Sequence, residues 1–170
     1  MTPLVAVLAQ EHFQTVELLY QNGADILDVL GFHEMTPFIA ASQFGDLDMV
    51  QRLLDYKANV NAKTKYNWSA LHYVSMWDPL LCCRPPQWFS DIAQLLLQHG
   101  ADLEAQGKGC MTPLHVVAGN RRVEVIHVLH EHGANVDAEN DKGETPSWVA
   151  VARRYNGIMK VLLEYGAKSR

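Results

Sequence analysis

The sequence predicts an all-α solenoid built from repeated two-helix units. Two short markers recur in step along the 170 residues, one typical of a helix start and one typical of a helix stop. About 20 residues separate a start from the next stop, enough for two short helices, and apolar residues in the second half recur at helical spacing. We therefore expect helix pairs that bury their apolar faces against neighbouring copies.

The helix-start marker is a Thr or Ser that is followed by Pro in most copies. The hydroxyl oxygen can accept a hydrogen bond from an unpaired backbone amide, and Pro at the first helical position needs no N–H partner. The copies begin at intervals of 34, 33, 43 and 33 residues: Thr2-Pro3-Leu4, Thr36-Pro37-Phe38, Ser69-Ala70-Leu71, Thr112-Pro113-Leu114 and Thr145-Pro146-Ser147.

The helix-stop marker is a Gly-Ala pair that closes an apolar stretch. Glycine can adopt the left-handed conformation in which the following amides bond to the last helical carbonyls. The copies begin at Gly23, Lys57, Gly100, Gly133 and Gly166, at intervals of 34, 43, 33 and 33 residues. Lys57 departs from the pattern, so we expect its backbone to be left-handed at a cost of about 1 kcal/mol.

The copy from Thr112 to Ala138 is the clearest, and a polar, turn-rich connector follows it at residues 137–144. Over essentially the whole chain this pattern resembles the ankyrin repeat family. The resemblance implies an ankyrin-repeat solenoid of stacked antiparallel helix pairs with projecting β-hairpin-like finger loops. We expect a single domain, residues 1–170, with repeats at about 1–31, 32–64, 65–107, 108–140 and 141–170.

The third repeat carries ten extra residues, because Ser69 to Gly100 spans 31 positions whereas Thr112 to Gly133 spans 21. Alignment of both flanks places the insertion near Asp78 to Gln87, between the two helices. It contains the adjacent cysteines Cys82 and Cys83. The sequence leaves its role open.

The end units of a solenoid need a polar outer face. Two groups of polar and charged residues are expected to supply these faces. They are Gln10, Glu11, His12 and Gln14 at one end, and Arg153, Arg154, Lys160 and Glu164 at the other.

Charge and composition exclude several classes of partner. The net charge is -5, and Lys and Arg are scattered, so there is no basic face for nucleic acid. No apolar stretch approaches the roughly 20 residues of a membrane span, and no signal peptide pattern opens the chain. Three cysteines cannot form a full disulfide framework, which favours a reducing, cytoplasmic location.

The resemblance implies that a partner protein binds the concave surface formed by the fingers and the first helices. Several residues mapped to this surface are aromatic side chains or Met, which are typical of an interface centre. The alternative is that the insertion folds back over them. The expected partner-binding residues are Phe32, His33, Met35, Phe44, Lys65, Tyr66, Trp68, Met76, Trp77, Lys108, Met111 and Asn120, with a charged rim of Asp141, Lys142, Glu144 and Arg153.

Neither a catalytic motif nor a metal motif is found. The sequence has no Gly-x-Ser-x-Gly, no phosphate-binding glycine loop and no zincin helix, so we expect no enzyme and no cofactor. His127, His130 and His132 lack the spacing of a zinc site, and a surface or capping role is expected for them. The resemblance implies that His72 and His115 are structural and bond within and between repeats.

We therefore predict a non-catalytic module that binds another protein and is monomeric when unbound. Such a module could act as a stoichiometric inhibitor or as an immunity-type neutraliser of a toxic enzyme. Two alternatives stay open. The chain could be a segment of a larger scaffold or secreted effector, or the insertion could build a small-molecule or metal sensor.

Overall fold

The computed structural model describes residues 32–76 and 85–168, together with positions 22 and 27. Within these residues the chain forms consecutive helix pairs, as an all-α solenoid requires. Almost all of the first expected repeat, the residue Trp77 and the insertion as far as residue 84 lie outside the described residues. The pairs are α1 (Pro37–Phe44) and α2 (Leu47–Asp55), α3 (Ala70–Ser75) and α4 (Pro86–Gln98), α5 (Pro113–Ala118) and α6 (Val123–Glu131), and α7 (Pro146–Ala152) and α8 (Asn156–Glu164).

The first helix of each described pair begins at a predicted start marker. The Thr36 Oγ1 accepts the N–H of Ile39 at 3.3 Å, and the Thr145 Oγ1 accepts the N–H of Trp148 at 3.3 Å. These bonds satisfy amides that have no partner inside the helix. The predicted role of the hydroxyl residue as a helix cap is therefore confirmed at both positions.

The second helices end at the predicted stop markers. Lys57, Gly100, Gly133 and Gly166 all have positive φ, with 68° at Lys57. In each case the N–H of the following Ala bonds to a carbonyl five residues earlier, as Ala58 does to Leu53 at 2.8 Å. This bond closes the last turn because only a left-handed residue can reverse the chain there. The expected left-handed conformation of Lys57 is confirmed.

The connectors form the predicted finger loops, each closed like a β-hairpin. The N–H of Thr64 bonds to the Trp68 carbonyl at 2.9 Å, and the N–H of Gly107 bonds to the Met111 carbonyl at 2.9 Å. Asn140 and Glu144 repeat this bond at 3.0 Å in the next finger.

The helices stack in two rows. The first helices α1, α3, α5 and α7 pack side by side, and α2, α4 and α6 pack beside them in a second row. One leucine occupies the same place in each second helix and has 0% of its surface exposed: Leu53, Leu96, Leu129 and Leu162. Burial of such a side chain contributes about 1.5–3 kcal/mol, so the core extends along the whole stack.

Side chains at the bases of the fingers also join successive units. An acceptor oxygen in one unit takes a backbone N–H from the next. The bonds run from Asp102 to Asn61 Oδ1 at 2.8 Å, from Asn135 to Glu104 Oε1 at 2.8 Å, and from Lys168 to Asp137 Oδ1 at 3.0 Å.

The end of the insertion becomes part of α4. This helix has 13 residues, whereas α2, α6 and α8 have nine each, and the extra turn starts at Pro86. Phe89 in that turn is 1% exposed and packs against Gly45, where an added Cβ would lie 2.8 Å from the ring. Part of the extra sequence therefore lengthens the core instead of forming a loop.

On the last helix pair the four residues expected to supply a polar outer face are all exposed: Arg153, Arg154, Lys160 and Glu164. Apolar side chains are exposed on the same pair, with Trp148 at 47%, Val151 at 48% and Leu163 at 37%. The residue in the place of Val151 is fully buried in each earlier described pair, at Ser42, Ser75 and Ala118. Helical periodicity predicts which face of the helix Val151 and its equivalents share. Whether that face is exposed depends on what stacks against it.

Candidate partner-binding surface

A pocket opens between two successive fingers and the first helix between them. Its cavity is about 270 Å³, and we call it the aromatic pocket. The residues that line it come from one finger, from α3 with its C-terminal cap, and from the next finger: Tyr66 and Trp68, Tyr73 and Met76, and Lys108. Four of these five residues belong to the predicted partner-binding set.

Backbone pairing between fingertips places Tyr66 at the rim of the pocket. The N–H of Lys65 bonds to the His33 carbonyl at 3.1 Å, which ties this finger to the preceding one. The His33 and Tyr66 rings lie 5.0 Å apart. Tyr66 remains 38% exposed, so its ring is available at the surface.

Trp68 forms the floor of the aromatic pocket. Its ring stacks on His72 at 5.7 Å and meets Tyr73 edge-on at 5.7 Å. Gly107 makes room for this indole, because a Cβ at that position would lie 2.7 Å from the Trp68 ring. Such close packing holds the ring in one orientation.

Two ammonium groups lie close to the rim. The Nζ of Lys65 is 5.0 Å from the centre of the Tyr66 ring, and the Nζ of Lys108 is 5.6 Å from it. Both distances allow cation–π attraction. Both lysines are exposed, so the pocket combines an apolar interior with a positively charged edge.

Tyr73 is the pocket residue that the sequence analysis missed. It lies on α3, 8% exposed, and burial raises the pKa of its phenol. The same place holds Ala40 in α1, Val116 in α5 and Val149 in α7. The sequence did carry a signal for Tyr73: this repeat has an aromatic ring in a place where the other repeats have a small or branched side chain.

Other predicted residues lie apart from the aromatic pocket. Met35 packs against the core, and Phe44 is half-buried at the end of α1. The Asn120 Nδ2 donates to the Val116 carbonyl at 2.6 Å, and the Met111 Sδ accepts from Asn140 at 3.5 Å. These contacts give the side chains structural roles within the stack.

The predicted charged rim lies on the last finger and at the end of α7. Asp141, Lys142 and Arg153 are exposed. Glu144 is engaged instead, because its Oε2 accepts from the Asn140 Nδ2 at 2.8 Å. The predicted residue Phe32 begins a short 3₁₀ turn, Phe32–Glu34. This turn adjoins the finger that carries Tyr66, because the His33 carbonyl accepts the Lys65 N–H.

The histidines that follow the start markers have the structural role implied by the resemblance. The His72 Nδ1 accepts the Ser69 N–H at 3.2 Å, and its Nε2 lies 2.9 Å from the Met111 carbonyl in the next finger. His115 repeats both contacts with Thr112 and Glu144. Because a carbonyl only accepts, Nε2 carries the proton and donates it, so each ring is neutral. Burial lowers the pKa of His72 to about 4.

The histidines near the end of α6 have the contacts expected of surface and capping residues. His130 stacks on Tyr165 with ring centres 3.6 Å apart, and His127 forms a hydrogen bond with the Tyr165 hydroxyl. The His132 Nδ1 lies 2.9 Å from the Val128 carbonyl at the helix end. Across the described ranges, no three metal-ligating side chains come together.

A wider groove of about 420 Å³ lies on the second helices, between α2 and α4. Its walls carry carboxylates and amides from both helices but no aromatic ring: Leu47, Asp48, Gln51, Asp91, Gln94, Leu95 and Gln98. Aromatic and Met side chains are enriched at the centre of an interface, whereas Leu is under-represented among the residues that supply most of the binding free energy. The aromatic pocket is therefore the stronger candidate despite its smaller volume.

None of the helices in the described part of the chain is long and apolar enough to span a membrane. The large apolar residues most exposed in this part are Tyr66, Trp88, Trp148, Val151 and Leu163.

Comparison with known proteins identifies relatives over most of the chain. The probable E3 ubiquitin-protein ligase XBOS32 of Oryza sativa subsp. japonica is 30% identical over 149 residues, which cover 75% of this chain and 30% of that protein. Ankyrin repeat and SOCS box protein 6 of Homo sapiens is 36% identical over 106 residues, covering 61% of this chain and 24% of the relative. Neurogenic locus notch homolog protein 1 of Xenopus laevis is 30% identical over 105 residues, which cover 62% of this chain and 4% of that protein.

The chain thus spans less than a third of the length of each of these three relatives. The family model described as ankyrin repeats matches residues 3–106 and 81–170. Proteins of this family are in general non-catalytic interaction modules, although the rice relative, a larger protein, is named a ligase. The chain belongs to the ankyrin repeat family and is a module for protein–protein interaction.

Proposed function

We propose that the chain, as one domain of five repeats, holds a partner protein on its finger and first-helix surface with the aromatic pocket as the anchor. The observation that carries this proposal is the gathering of Tyr66, Trp68 and Met76 around one cavity that opens to solvent. Aromatic and Met side chains at an exposed pocket are characteristic of an interface centre, where a few residues supply most of the binding free energy.

The packing of the aromatic pocket supports this role. Trp68 is held between His72, Tyr73 and Gly107, so little conformational freedom is lost when a partner binds. Exposed charges on the fingertips surround the apolar centre, as in interfaces with a polar rim. Rim charges chiefly guide association and select among partners.

The relatives favour recruitment as the outcome of binding. Two of them are named as a probable E3 ubiquitin-protein ligase and a SOCS box protein, and the chain spans only a minor part of each. We propose that the chain likewise serves as the recruiting arm of a longer protein. A stoichiometric inhibitor or neutraliser would use the same surface, and it would differ in abolishing the activity of the bound partner.

The test is capture of binding proteins from source cells by purified wild-type chain and by a Tyr66→Ala/Met76→Ala variant. Loss of two anchor side chains is expected to weaken partner binding by about 30-fold or more. Quantitative mass spectrometry of the captured proteins, followed by direct measurement of Kd, checks this. The activity of the captured partner with and without the chain then distinguishes recruitment from inhibition.

A Gln51→Ala/Gln94→Ala variant is the matched control, because both residues line the groove on the second helices. Both double variants are first compared with the wild type by thermal melting. A partner that remains bound to the pocket variant at wild-type affinity, and is lost from the groove variant, would overturn the proposal.

A further inference from the structure

We propose that the aromatic pocket receives a bulky apolar side chain from an acidic segment of the partner, whose flanking carboxylates bind the fingertip lysines. This inference rests on the proposed function, because it specifies the partner chemistry at the same surface. It is carried by the apolar lining of the pocket, by the lysines at its rim and by the volume of the cavity.

The volume of the cavity favours a single side chain. Pockets that enclose drug-sized ligands usually run from about 300 Å³ upward. The aromatic pocket has about 270 Å³, and its walls are mostly the rings of Tyr66, Trp68 and Tyr73 with the thioether of Met76. One large apolar or aromatic side chain would leave water and pack against these walls, and the burial of apolar surface makes this transfer favourable.

Three successive fingertips each present an exposed lysine: Lys65, Lys108 and Lys142. The first two lie beside the Tyr66 ring, at 5.0 and 5.6 Å from its centre. Among the residues that the structure describes, the ion pair found joins Lys168 and Asp137, and none of the three fingertip ammoniums pairs with a described carboxylate. A row of unpaired ammoniums attracts carboxylates.

Carboxylates of the chain itself lie mainly beyond the pocket. Asp141 comes from the next finger, where its backbone N–H bonds to the Gly109 carbonyl at 3.1 Å and its carboxylate lies beside Gly109, next to Lys108 but outside the pocket lining. Glu144 is engaged with Asn140, and Glu34 lies one finger before the pocket. The lining of the pocket therefore has one charged member, the cation Lys108.

The lysines also argue against a basic occupant. Aromatic pockets can bind a lysine or methylammonium group through cation–π attraction. Here Lys65 and Lys108 already lie within cation–π distance of Tyr66, and they would repel a third cation. The net charge of -5 would favour basic partners elsewhere on the molecule, so acidic recognition is specific to this surface.

The test begins with selection of peptides from a random-peptide phage library on immobilised wild-type chain. The expected result is enrichment of peptides with Phe, Trp, Tyr or Leu next to Asp or Glu. The best peptide, labelled with fluorescein, then gives a Kd by fluorescence anisotropy. A Lys65→Glu/Lys108→Glu variant is expected to bind it about tenfold more weakly, and added salt is expected to weaken wild-type binding.

Lys160→Glu is the matched control, since it reverses an exposed lysine on α8, two helix pairs away from the pocket. Enrichment of basic or uncharged peptides, failure to enrich any peptide, or unchanged affinity in the Lys65→Glu/Lys108→Glu variant would each overturn the inference. Peptides that lose binding only to the Tyr66→Ala/Met76→Ala variant would leave the proposed function standing. Peptides that bind both variants normally would count against both.

Discussion

Single residues determine where the helices end, and Lys57 shows the free-energy cost of the left-handed backbone conformation at such a position. It closes α2 with φ of 68°, in the place that glycine occupies after α4, α6 and α8. An L-residue in this conformation brings its Cβ close to the following carbonyl, at about 1–2 kcal/mol. Glycine avoids that contact but loses more conformational freedom on folding.

Lys57→Gly is therefore expected to stabilise the chain by somewhat less than the full strain, about 0.5–1 kcal/mol, and to raise Tm by about 2 °C. Thermal unfolding followed by circular dichroism measures this. The reciprocal change Gly133→Lys is the control, because φ there is 88° and an added Cβ meets nothing within 4 Å. It should lower Tm by a similar amount. An unchanged or lower Tm for Lys57→Gly would show that the left-handed turn is not the cause.

Helices and fingers are joined by the histidines that follow the start markers. His72 caps its own helix through Nδ1, which accepts a hydrogen bond, and bonds the next finger through Nε2, which donates one. Only the neutral ring can make both contacts. Protonation would place a second N–H against the Ser69 amide. Burial is the main reason that the pKa of His72 falls to about 4, and burial also lowers the pKa of His115.

Acid is therefore expected to destabilise the chain through these rings. The unfolded chain binds the proton at an ordinary pKa of about 6.5, so the free energy of unfolding is full above that pH and falls as the pH drops towards 4. Below pH 4 both states are protonated and the loss levels off. His72 accounts for a loss of about 3 kcal/mol, measurable by urea unfolding at a series of pH values.

His72→Gln removes the titrating ring, so its free energy of unfolding should fall less steeply with acid. Ser75→Ala is a suitable control, because this fully buried residue of the same helix donates from Oγ to the Leu71 carbonyl at 2.8 Å. It should lower stability at every pH and keep the wild-type slope. An equal slope in the His72→Gln variant would contradict the assignment.

The whole molecule is a line of helix pairs in which each pair contacts its neighbours. Such stacks derive their stability from the units and from the interfaces between neighbours. Among the described pairs, α7–α8 is the one with exposed large apolar side chains on both helices, Trp148 and Val151 on α7 and Leu163 on α8. Stability should therefore decrease towards this pair.

Leu162→Ala in α8 is expected to cost about 2–5 kcal/mol, because the side chain is 0% exposed. Amide hydrogen exchange should then accelerate mainly in α7 and α8, with α3 to α6 nearly unchanged. Leu96→Ala is the matched change in α4, and it should accelerate exchange in the pairs on both sides. Equal acceleration along the whole chain after Leu162→Ala would show that the stack unfolds as one unit.

Local sequence accounts for most of the fold. Helix caps such as Thr36 and Thr145 and the left-handed stops were predictable, because each depends on residues within a few positions of one another. The turn-rich connectors were predictable in the same way, and their hairpin form was implied by the family resemblance. The structural role of His72 also followed from its place in the repeat. The family could be identified for the same reason, since local patterns recur in step along the chain.

Four of the five pocket residues were predicted as partner-binding residues, but which of the predicted residues share one pocket was beyond such reasoning. Tyr66 and Lys108 meet only because consecutive fingers stack, and Tyr73 joins them because α3 presents it beneath the finger. Stacking likewise places Met35 against the core and leaves Trp148 exposed. The burial of a side chain depends on which residues pack against it across an interface. A sequence pattern gives the spacing of the apolar residues, but it does not identify the residues that they contact in three dimensions.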